Sequence, residues 1–183
     1  RDGETAELAI HAALTGHLML STLHTNDSFG AIPRLVDMGI EPFLLAASLN
    51  VVMAQRLVRR VCQHCKAETT LPEKLDQEIR GELKRLPEDV KPKSIDLEKP
   101  LTFYHGRGCA RCENTGYKGR IAIIEVFQIN SAIQKLIIAG GDLISNIRDE
   151  AKRQGMYSMK QDGILKALRG LSTIEEVISV TKD

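Results

Sequence analysis

The sequence predicts an α/β fold, and three observations lead to that prediction. Residues 1–61 are the most apolar part of the chain and follow the order helix, strand, helix, with polar residues after the strand. Two Cys-x-x-Cys pairs come next. From residue 131 onward, apolar residues recur at helical spacing and glycines separate the segments. We therefore expect three parts: residues 1–61, a cysteine element at 62–112 with a charged insertion at 66–100, and a strand with helices at 113–183.

The first part begins with a predicted helix and a predicted strand. Residues 5–14 are Ala-rich and apolar on nearly all sides, which predicts a buried helix ended by Gly16. Residues 18–23 form a short apolar run, typical of a central strand in a parallel sheet with both faces covered. Ligands of open parallel sheets bind beyond the carboxyl ends of the strands. The polar residues after this strand therefore suggest a nucleotide-binding α/β domain.

Two more helices are predicted in the same part. Residues 26–28, Asn-Asp-Ser, offer N-caps for a helix that reaches about Met38. Pro42 favours the start of a longer helix that reaches about Arg60.

The charged insertion predicts a single amphipathic helix. Of its 35 residues, 17 are charged and four are Pro, which favours a solvated surface. Leucines and an isoleucine at helical spacing predict a helix at about 73–86, and Thr70 to Glu73 resembles a capping box.

The last part predicts two strands followed by helices. Residues 101–104 and 120–128 have strand character. Ser158 is a predicted N-cap, and Thr173 with Glu176 forms a predicted capping box. The helices are expected at 132–139, 143–154, 159–169 and 174–181.

The charge and the aromatic content of the chain exclude some classes of function. The formal net charge is +1, and the chain has seven aromatic residues and no Trp. Nucleic-acid binders carry a basic excess, and single-strand binders need aromatic stacking, so neither class is expected. No apolar run is long enough to span a bilayer and no signal peptide is recognisable, so we expect a soluble, cytosolic protein without a transmembrane segment. The chain begins at Arg1 without Met and leads into a helical pattern, and we expect a fragment.

The four cysteines predict a structural zinc site. Two residues between paired thiolates let one turn present both sulfurs to a metal ion, and two such turns complete a tetrahedral shell. With four thiolates and no open position, the zinc would be structural. Free thiols or a redox pair are the alternatives, and His64 is expected to be a loop residue. The predicted ligands are Cys62, Cys65, Cys109 and Cys112.

The segment around the predicted strand holds the second group of candidate site residues. His17 precedes the strand and His24 follows it, and the hydroxyl groups of Thr22 and Thr25 are nearby. An imidazole at this edge can hydrogen-bond a terminal phosphate oxygen or an attacking water. A polar strand end with a structural histidine is the alternative.

Several long motifs resemble the type II secretion and type IV pilus assembly ATPase family. They are Arg-Asp-x-Glu-Thr-Ala at residues 1–6, Thr-Gly-His-Leu-x-Leu-Ser-Thr-Leu-His-Thr-Asn-Asp at 15–27, Ala-Gln-Arg-Leu-Val-Arg-Arg-Val-Cys at 54–62, Gly-Tyr-Lys-Gly-Arg at 116–120, and the helical tail with Glu-Glu-Val at 175–177. The resemblance covers almost the whole chain except the insertion. The last four residues are closer to the pilus extension branch, although the branch stays open.

The resemblance implies the C-terminal part of a RecA-like P-loop ATPase domain, with a zinc-stapled insertion and a helical C-terminal subdomain. Such motors are homo-hexamers that hydrolyse ATP with Mg²⁺ and move an inner-membrane platform protein from the cytoplasmic face. The four cysteines match the zinc element of the family. His17 and His24 match its His box, and Arg1 and Asp2 match the end of Walker B. On this basis the catalytic candidates are His24, His17, Thr22 and Glu4, and the nucleotide-binding candidates are Arg1, Asp2 and Thr25.

One departure from the family pattern concerns activity. The phosphate-binding motif Gly-x-x-x-x-Gly-Lys-Ser/Thr is absent from the 183 residues, so we expect no ATP hydrolysis by this chain alone. The rival function is a zinc-stapled protein-interaction module without nucleotide chemistry, and a zinc-ribbon nucleic-acid binder is disfavoured by charge. A zinc module has no need of two histidines that bracket a strand.

Overall fold

The computed structural model describes residues 2–91 and 96–182, in which eight α-helices and four strands alternate with loops. The helices are α1 Gly3–Leu14, α2 Ala31–Asp37, α3 Pro42–Ser48, α4 Glu73–Lys84, α5 Ser131–Ala139, α6 Leu143–Arg153, α7 Met159–Leu168 and α8 Ile174–Thr181. The strands are β1 Val51–Val61, β2 Lys66–Thr69, β3 Phe103–Gly106 and β4 Tyr117–Gln128, and a 3₁₀ turn covers Ala110–Cys112.

The strands form two pairs. Strand β1 pairs with β4. Strand β2 pairs antiparallel with β3, in a register that places Lys66 opposite Gly106 and Thr69 opposite Phe103. In the second pair, one cysteine loop precedes β2 and the other follows β3. Cys65 directly precedes β2, and Cys109 follows β3 after a short loop. Because Lys66 lies opposite Gly106, the two loops meet at the same end of the pair.

The chain divides into two compact units. The first unit contains the residues up to Ala54 together with Val126–Met156. Its apolar core is built by side chains that are fully or almost fully shielded from solvent. They include Ile32, Leu45, Ile133, Ile137, Ile147 and Ala151.

The second unit contains Gln55–Glu125 and the residues from Tyr157 onward. Its separate core joins the insertion helix α4 to β3, α7 and α8. The buried members include Ile79, Leu83, Phe103, Ile164, Ile174 and Val177.

Buried polar groups attach α7 to β4 within the second unit. The Asp162 carboxylate accepts the Ile124 N–H at 2.8 Å and pairs with Lys166, whose ammonium group donates to Ala122 O at 2.8 Å. The buried Glu125 carboxylate accepts the Met159 N–H at 3.2 Å, at the start of α7. Since each buried charge has partners, these groups orient the helix rather than destabilise it.

The predicted central strand at residues 18–23 is wrong. The structure describes all six residues, and none of them belongs to a strand. This segment lies outside the two strand pairs, and Leu18 and Leu20 are 86% and 87% exposed. A strand requires a neighbour that accepts and donates its backbone hydrogen bonds, and an apolar run alone does not supply one.

The predicted long helix at residues 42–60 is also wrong. Helix α3 ends at Ser48, and residues 51–61 form β1. Strand β1 contains four valines, and β-branched side chains favour strands when a partner strand, here β4, is available.

The other predicted helices are present, with corrections at their ends and in burial. The expectation that the first helix is buried is wrong, since Ile10 is the buried residue of α1 and Leu8 is 72% exposed. Apolar side chains on a helix are shielded only where another element packs on them. The helix expected from residue 26 begins only at Ala31, because Asp27 Oδ1 accepts the Gly30 N–H and forms a separate turn. Ser158 caps α7 in a reciprocal capping box. Of the capping box predicted at α8, the Thr173 hydroxyl accepts the Glu176 N–H, but the Glu176 carboxylate bonds Arg59 instead of returning to Thr173. The capping box expected at Thr70 is wrong, since Pro72 precedes α4 without a side-chain cap.

Candidate metal centre and the histidine segment

The four cysteines converge on one point in the second unit. Their sulfur atoms all lie within 4.8 Å of one another. The Cys62–Cys109, Cys65–Cys112 and Cys109–Cys112 sulfur distances are 3.9, 3.8 and 3.7 Å. A disulfide needs about 2.05 Å, so these are free thiols held close together.

The spacing fits a tetrahedral metal ion. A metal–sulfur bond of about 2.3 Å in a tetrahedron places the sulfurs about 3.8 Å apart. The three observed distances of 3.7–3.9 Å match that separation. Four thiolates in this geometry favour zinc or iron among biological metals. The residues present therefore fit a closed, structural metal site.

Short loops position the four sulfurs. Cys62 directly follows β1, and its N–H donates to Gly116 O at 2.9 Å. Cys112 ends the 3₁₀ turn, and its sulfur accepts the N–H groups of Cys109 and Gly116 at 3.2 and 3.3 Å. A Cβ atom at Gly106 would lie 2.1 Å from Gly116 O, so only glycine allows β3 to approach this loop.

Two of the thiols differ in acidity. Burial raises the pKa of Cys112, but the N–H groups of Cys109 and Gly116 and the neighbouring thiols outweigh it and lower that pKa to about 6. Burial raises the pKa of Cys65 to about 12. Hydrogen bonds to sulfur stabilise the thiolate form that binds metals.

His64 lies on the outside of the metal centre. It is exposed, and its ring contacts Arg111, with Nε2 and Nδ1 at 2.7 and 2.9 Å from Nη1. Among the described residues, the group of possible ligands contains only the four cysteines.

His24 and Thr25 line an open cleft in the first unit. The cleft has a volume of about 420 Å³, and its other lining residues include Asp27, Arg34 and Ile144. His24 is exposed, and the Thr25 hydroxyl donates to Asp27 O at 2.9 Å. The cleft thus combines the imidazole of His24 and the guanidinium group of Arg34, which can donate to an anion, with the carboxylates of Asp27 and Asp37.

The other predicted site residues lie outside the lining of that cleft. His17 is exposed at the end of α1, with Nδ1 3.3 Å from Ala12 O and 3.1 Å from Thr15 Oγ1. Thr22 is exposed in the segment between α1 and α2, and Glu4 is exposed in the first turn of α1. Arg1 lies outside the described residues.

Asp2 is the N-cap of α1. Its carboxylate accepts the Thr5 N–H at 2.8 Å. The same hydrogen bond lowers the pKa of Asp2 below its ordinary value. The carboxylate therefore stabilises the helix start, where the helix dipole favours negative charge.

The sequence indicates two residues near His24 only weakly or not at all. It predicts Asp27 as a helix cap, and it offers no signal for Arg148. Arg34, on the helix after His24, is a sequence candidate for a nucleotide-edge contact, with a cation favoured by the helix dipole as the alternative. Arg148 pairs with Asp27 at 3.7 Å although 120 residues separate them, and no local pattern indicates such a contact.

In the described part of the chain, no helix is both long and apolar enough to cross a membrane.

Comparison with known proteins gives a consistent result. Residues 1–179 match the family described as "Type II/IV secretion system protein". The chain is 45% identical to the Type IV pilus assembly ATPase PilB of Thermus thermophilus, over 99% of this chain and 19% of that protein. It is 42% identical to the Type II secretion system ATPase E of Vibrio cholerae, over 100% of this chain and 33% of that protein.

A solved structure shows the same fold. The Legionella pneumophila ATPase DotB matches 98% of this chain and 36% of its own length, with a TM-score of 0.59 and 19% identity. This confirms an α/β fold. The chain spans between a fifth and a third of the length of the two curated relatives named above. On the family match over 179 residues and the identity to these relatives, the chain belongs to the type II/IV secretion system protein family.

Proposed function

We propose that this chain is the C-terminal portion of a hexameric ATP-hydrolysing motor that powers type IV pilus assembly or type II protein secretion. The observation that carries the proposal is the match of whole-chain length to relatives named as pilus assembly and secretion ATPases, at 42–45% identity. The fold in question is a RecA-like P-loop ATPase domain with a helical C-terminal subdomain.

In this proposal the cleft beside His24 faces the phosphates of ATP. The exposed imidazole of His24 donates a hydrogen bond to the terminal phosphate or orients the attacking water. Thr25 contributes to nucleotide binding, and His17, Thr22 and Glu4 contribute to catalysis. Arg1 and Asp2 belong to the nucleotide-binding segment. The phosphate-binding loop and most of the Mg²⁺ ligands come from residues upstream of this chain.

The metal in this proposal is zinc with a structural role. The four cysteines supply every position of a tetrahedral shell, so no position is open for substrate. The ion holds the loops after β1 and β3 together, and the loop after β1 directly precedes the insertion.

The proposed partners and location follow from the family. The longer protein assembles as a homo-hexamer and acts on an inner-membrane platform protein at the cytoplasmic face of the membrane. Nucleic acid is not a partner.

The test is ATP hydrolysis by the longer protein that contains this chain, compared with its His24→Ala variant. We expect the variant to lose most of the turnover while it keeps its zinc and its assembly state. His11→Ala is the matched control, because His11 is an exposed histidine that pairs with Glu7 on α1. If His24→Ala keeps full turnover, or the assembled wild-type protein has none, the proposed role of His24 or the motor function is wrong.

The 183-residue chain provides a second test. It contains no phosphate-binding loop motif, so we expect no ATP turnover above a blank. Turnover that co-elutes with the purified chain and matches that of the longer protein would contradict this expectation.

A further inference from the structure

We propose that Arg148 is a positioning residue that holds the turn bearing His24. This inference rests on the proposed function, because it assigns to Arg148 an effect on the ATP-hydrolysis step. Arg148 does not line the cleft itself, and it acts through Asp27, which does.

The first step of the argument is the attachment of Arg148. It lies on α6, where the neighbouring Ile147 and the next-turn Ala151 are fully buried in the core of the first unit. The guanidinium group stacks over the ring of Phe29, with Cζ 5.2 Å from the centroid. Phe29 stacks in turn on Phe127, at 5.5 Å between centroids. The cation therefore projects from a fixed helix and rests on a buried aromatic pair.

The second step is the connection from Arg148 to the turn. Arg148 Nη2 lies 3.7 Å from Asp27 Oδ2, and Asp27 Oδ1 accepts the Gly30 N–H at 2.9 Å. The backbone oxygen of Asp27 accepts the Thr25 hydroxyl at 2.9 Å. Asp27 thus links α6 to both ends of the turn that follows His24, to Gly30 through its carboxylate and to Thr25 through its backbone oxygen.

The third step is the shared wall of the cleft. Ile144 lies one helical turn before Arg148 on α6 and lines the same cleft as His24 and Arg34. A shift of α6 would therefore change the wall of the cleft and, through Arg148 and Asp27, the turn beside His24.

The exposure of the Arg148–Asp27 ion pair sets the size of the rate change that we expect when the pair is removed. The Arg148 and Asp27 side chains are 46% and 38% exposed, and ion pairs of this kind contribute up to about 1 kcal/mol. That energy corresponds to about a fivefold change in rate. A loss of this size leaves the protein folded, so kinetic and structural effects can be measured on the same samples.

The experiment compares Arg148→Gln, Asp27→Asn and the double variant in the longer, assembled protein. We expect each single variant to lower kcat about three- to fivefold with KM changed less than twofold. The double variant should be no slower than the slower single variant, since both remove one interaction. Arg148→Lys, which keeps the cation, should retain kcat within about twofold of wild type. Arg153→Gln is the matched control, because it removes an arginine on the same helix that pairs with Glu150.

A second readout does not depend on activity. Amide hydrogen exchange of the peptide that covers residues 24–30 should become faster in Arg148→Gln and stay unchanged in Arg153→Gln. Unchanged exchange in Arg148→Gln would overturn the inference, and so would additive losses of kcat in the double variant. If His24→Ala keeps full turnover, the proposed role of His24 fails, and hydrogen exchange alone then decides whether Arg148 holds the turn. If the assembled wild-type protein has no turnover, the motor function fails, and hydrogen exchange again decides.

Discussion

Among single residues, Cys112 is a cysteine whose sulfur is held by backbone hydrogen bonds. Its sulfur accepts two backbone N–H groups, and its side chain is buried. Backbone hydrogen bonds of this kind orient a thiolate before the metal binds and stabilise its charge. Substitution at this position therefore affects the metal shell and the loop that follows it.

We predict that Cys112→Ser lowers the bound zinc of the 183-residue chain to below about half an equivalent, whereas His64→Ala keeps about one equivalent. His64 is the matched control because it lies between two of the cysteines in sequence, yet contacts Arg111 instead. Elemental analysis of freshly purified protein measures both. Equal zinc loss in the two variants would show that His64 is a ligand and that the four-thiolate assignment is wrong.

At the scale of helices and strands, α7 and α8 approach each other closely in the second unit. A Cβ atom at Gly163 would lie 2.4 Å from Val177 Cγ1, and Val177 is fully buried. We predict that Gly163→Ala destabilises the protein by about 1–3 kcal/mol, because overpacking outweighs the better helix propensity of alanine.

Gly81 on α4 is the matched control for Gly163. Apart from its chain neighbours and the backbone of its own helix, no atom of the described residues lies within 4 Å of a Cβ built at Gly81. Gly81→Ala should therefore stabilise the protein by up to about 1 kcal/mol, through helix propensity alone. Urea unfolding of both variants measures the difference. If both alanines stabilise the protein, α7 and α8 separate easily and the packing argument is wrong.

Local signals explain which elements could be predicted from the sequence. Helices α4 to α8 begin and end within two residues of the predicted positions, because caps and glycines mark their ends. Strand β1 was missed because its hydrogen-bond partner, β4, begins 56 residues after β1 ends. The convergence of the cysteines was predicted because their paired spacing permits a single tetrahedral site. No local sequence pattern predicts the contact between Asp27 and Arg148, because the two residues are far apart in the chain.

The attachment of α8 to β1 predicts a pH dependence of stability. Glu176 in the first turn of α8 accepts the Arg59 N–H at 3.0 Å and pairs with the Arg59 side chain. The side-chain hydrogen bond from Arg59 lowers the pKa of Glu176. A carboxyl group with a lowered pKa stabilises the fold above its unfolded pKa of about 4.3, and this contribution is lost as the pH falls through the folded pKa.

We predict that Glu176→Gln lowers the free energy of unfolding by about 1 kcal/mol at pH 7. The difference from wild type should shrink steadily below about pH 4. Glu175→Gln is the control, since Glu175 is exposed in the same helical turn and experiences the same helix dipole. Urea unfolding across this pH range measures both variants. A difference that stays constant from pH 7 to acid would show that Glu176 acts by packing and not by charge.

At the scale of the whole molecule, the proposed metal would stabilise one unit only, while each unit has an apolar core of its own. The four cysteines all belong to the second unit, and the 43 residues between the two pairs include α4, which packs into that unit's core. The first unit has a core of its own and contains no cysteine. Metal binding stabilises the state in which its ligands are already assembled, so its free energy adds to the second unit.

We therefore predict that a zinc chelator acts unequally on the chain. After metal removal, amide hydrogen exchange should become faster in β2 and β3, whose ends carry the cysteine loops, and stay nearly unchanged in α5 of the first unit. Peptide-level exchange with and without chelator measures both, and re-addition of zinc should restore protection in β2 and β3. Equal acceleration in α5 would contradict the prediction, because it would mean that the two units unfold as one cooperative body and that the metal stabilises both.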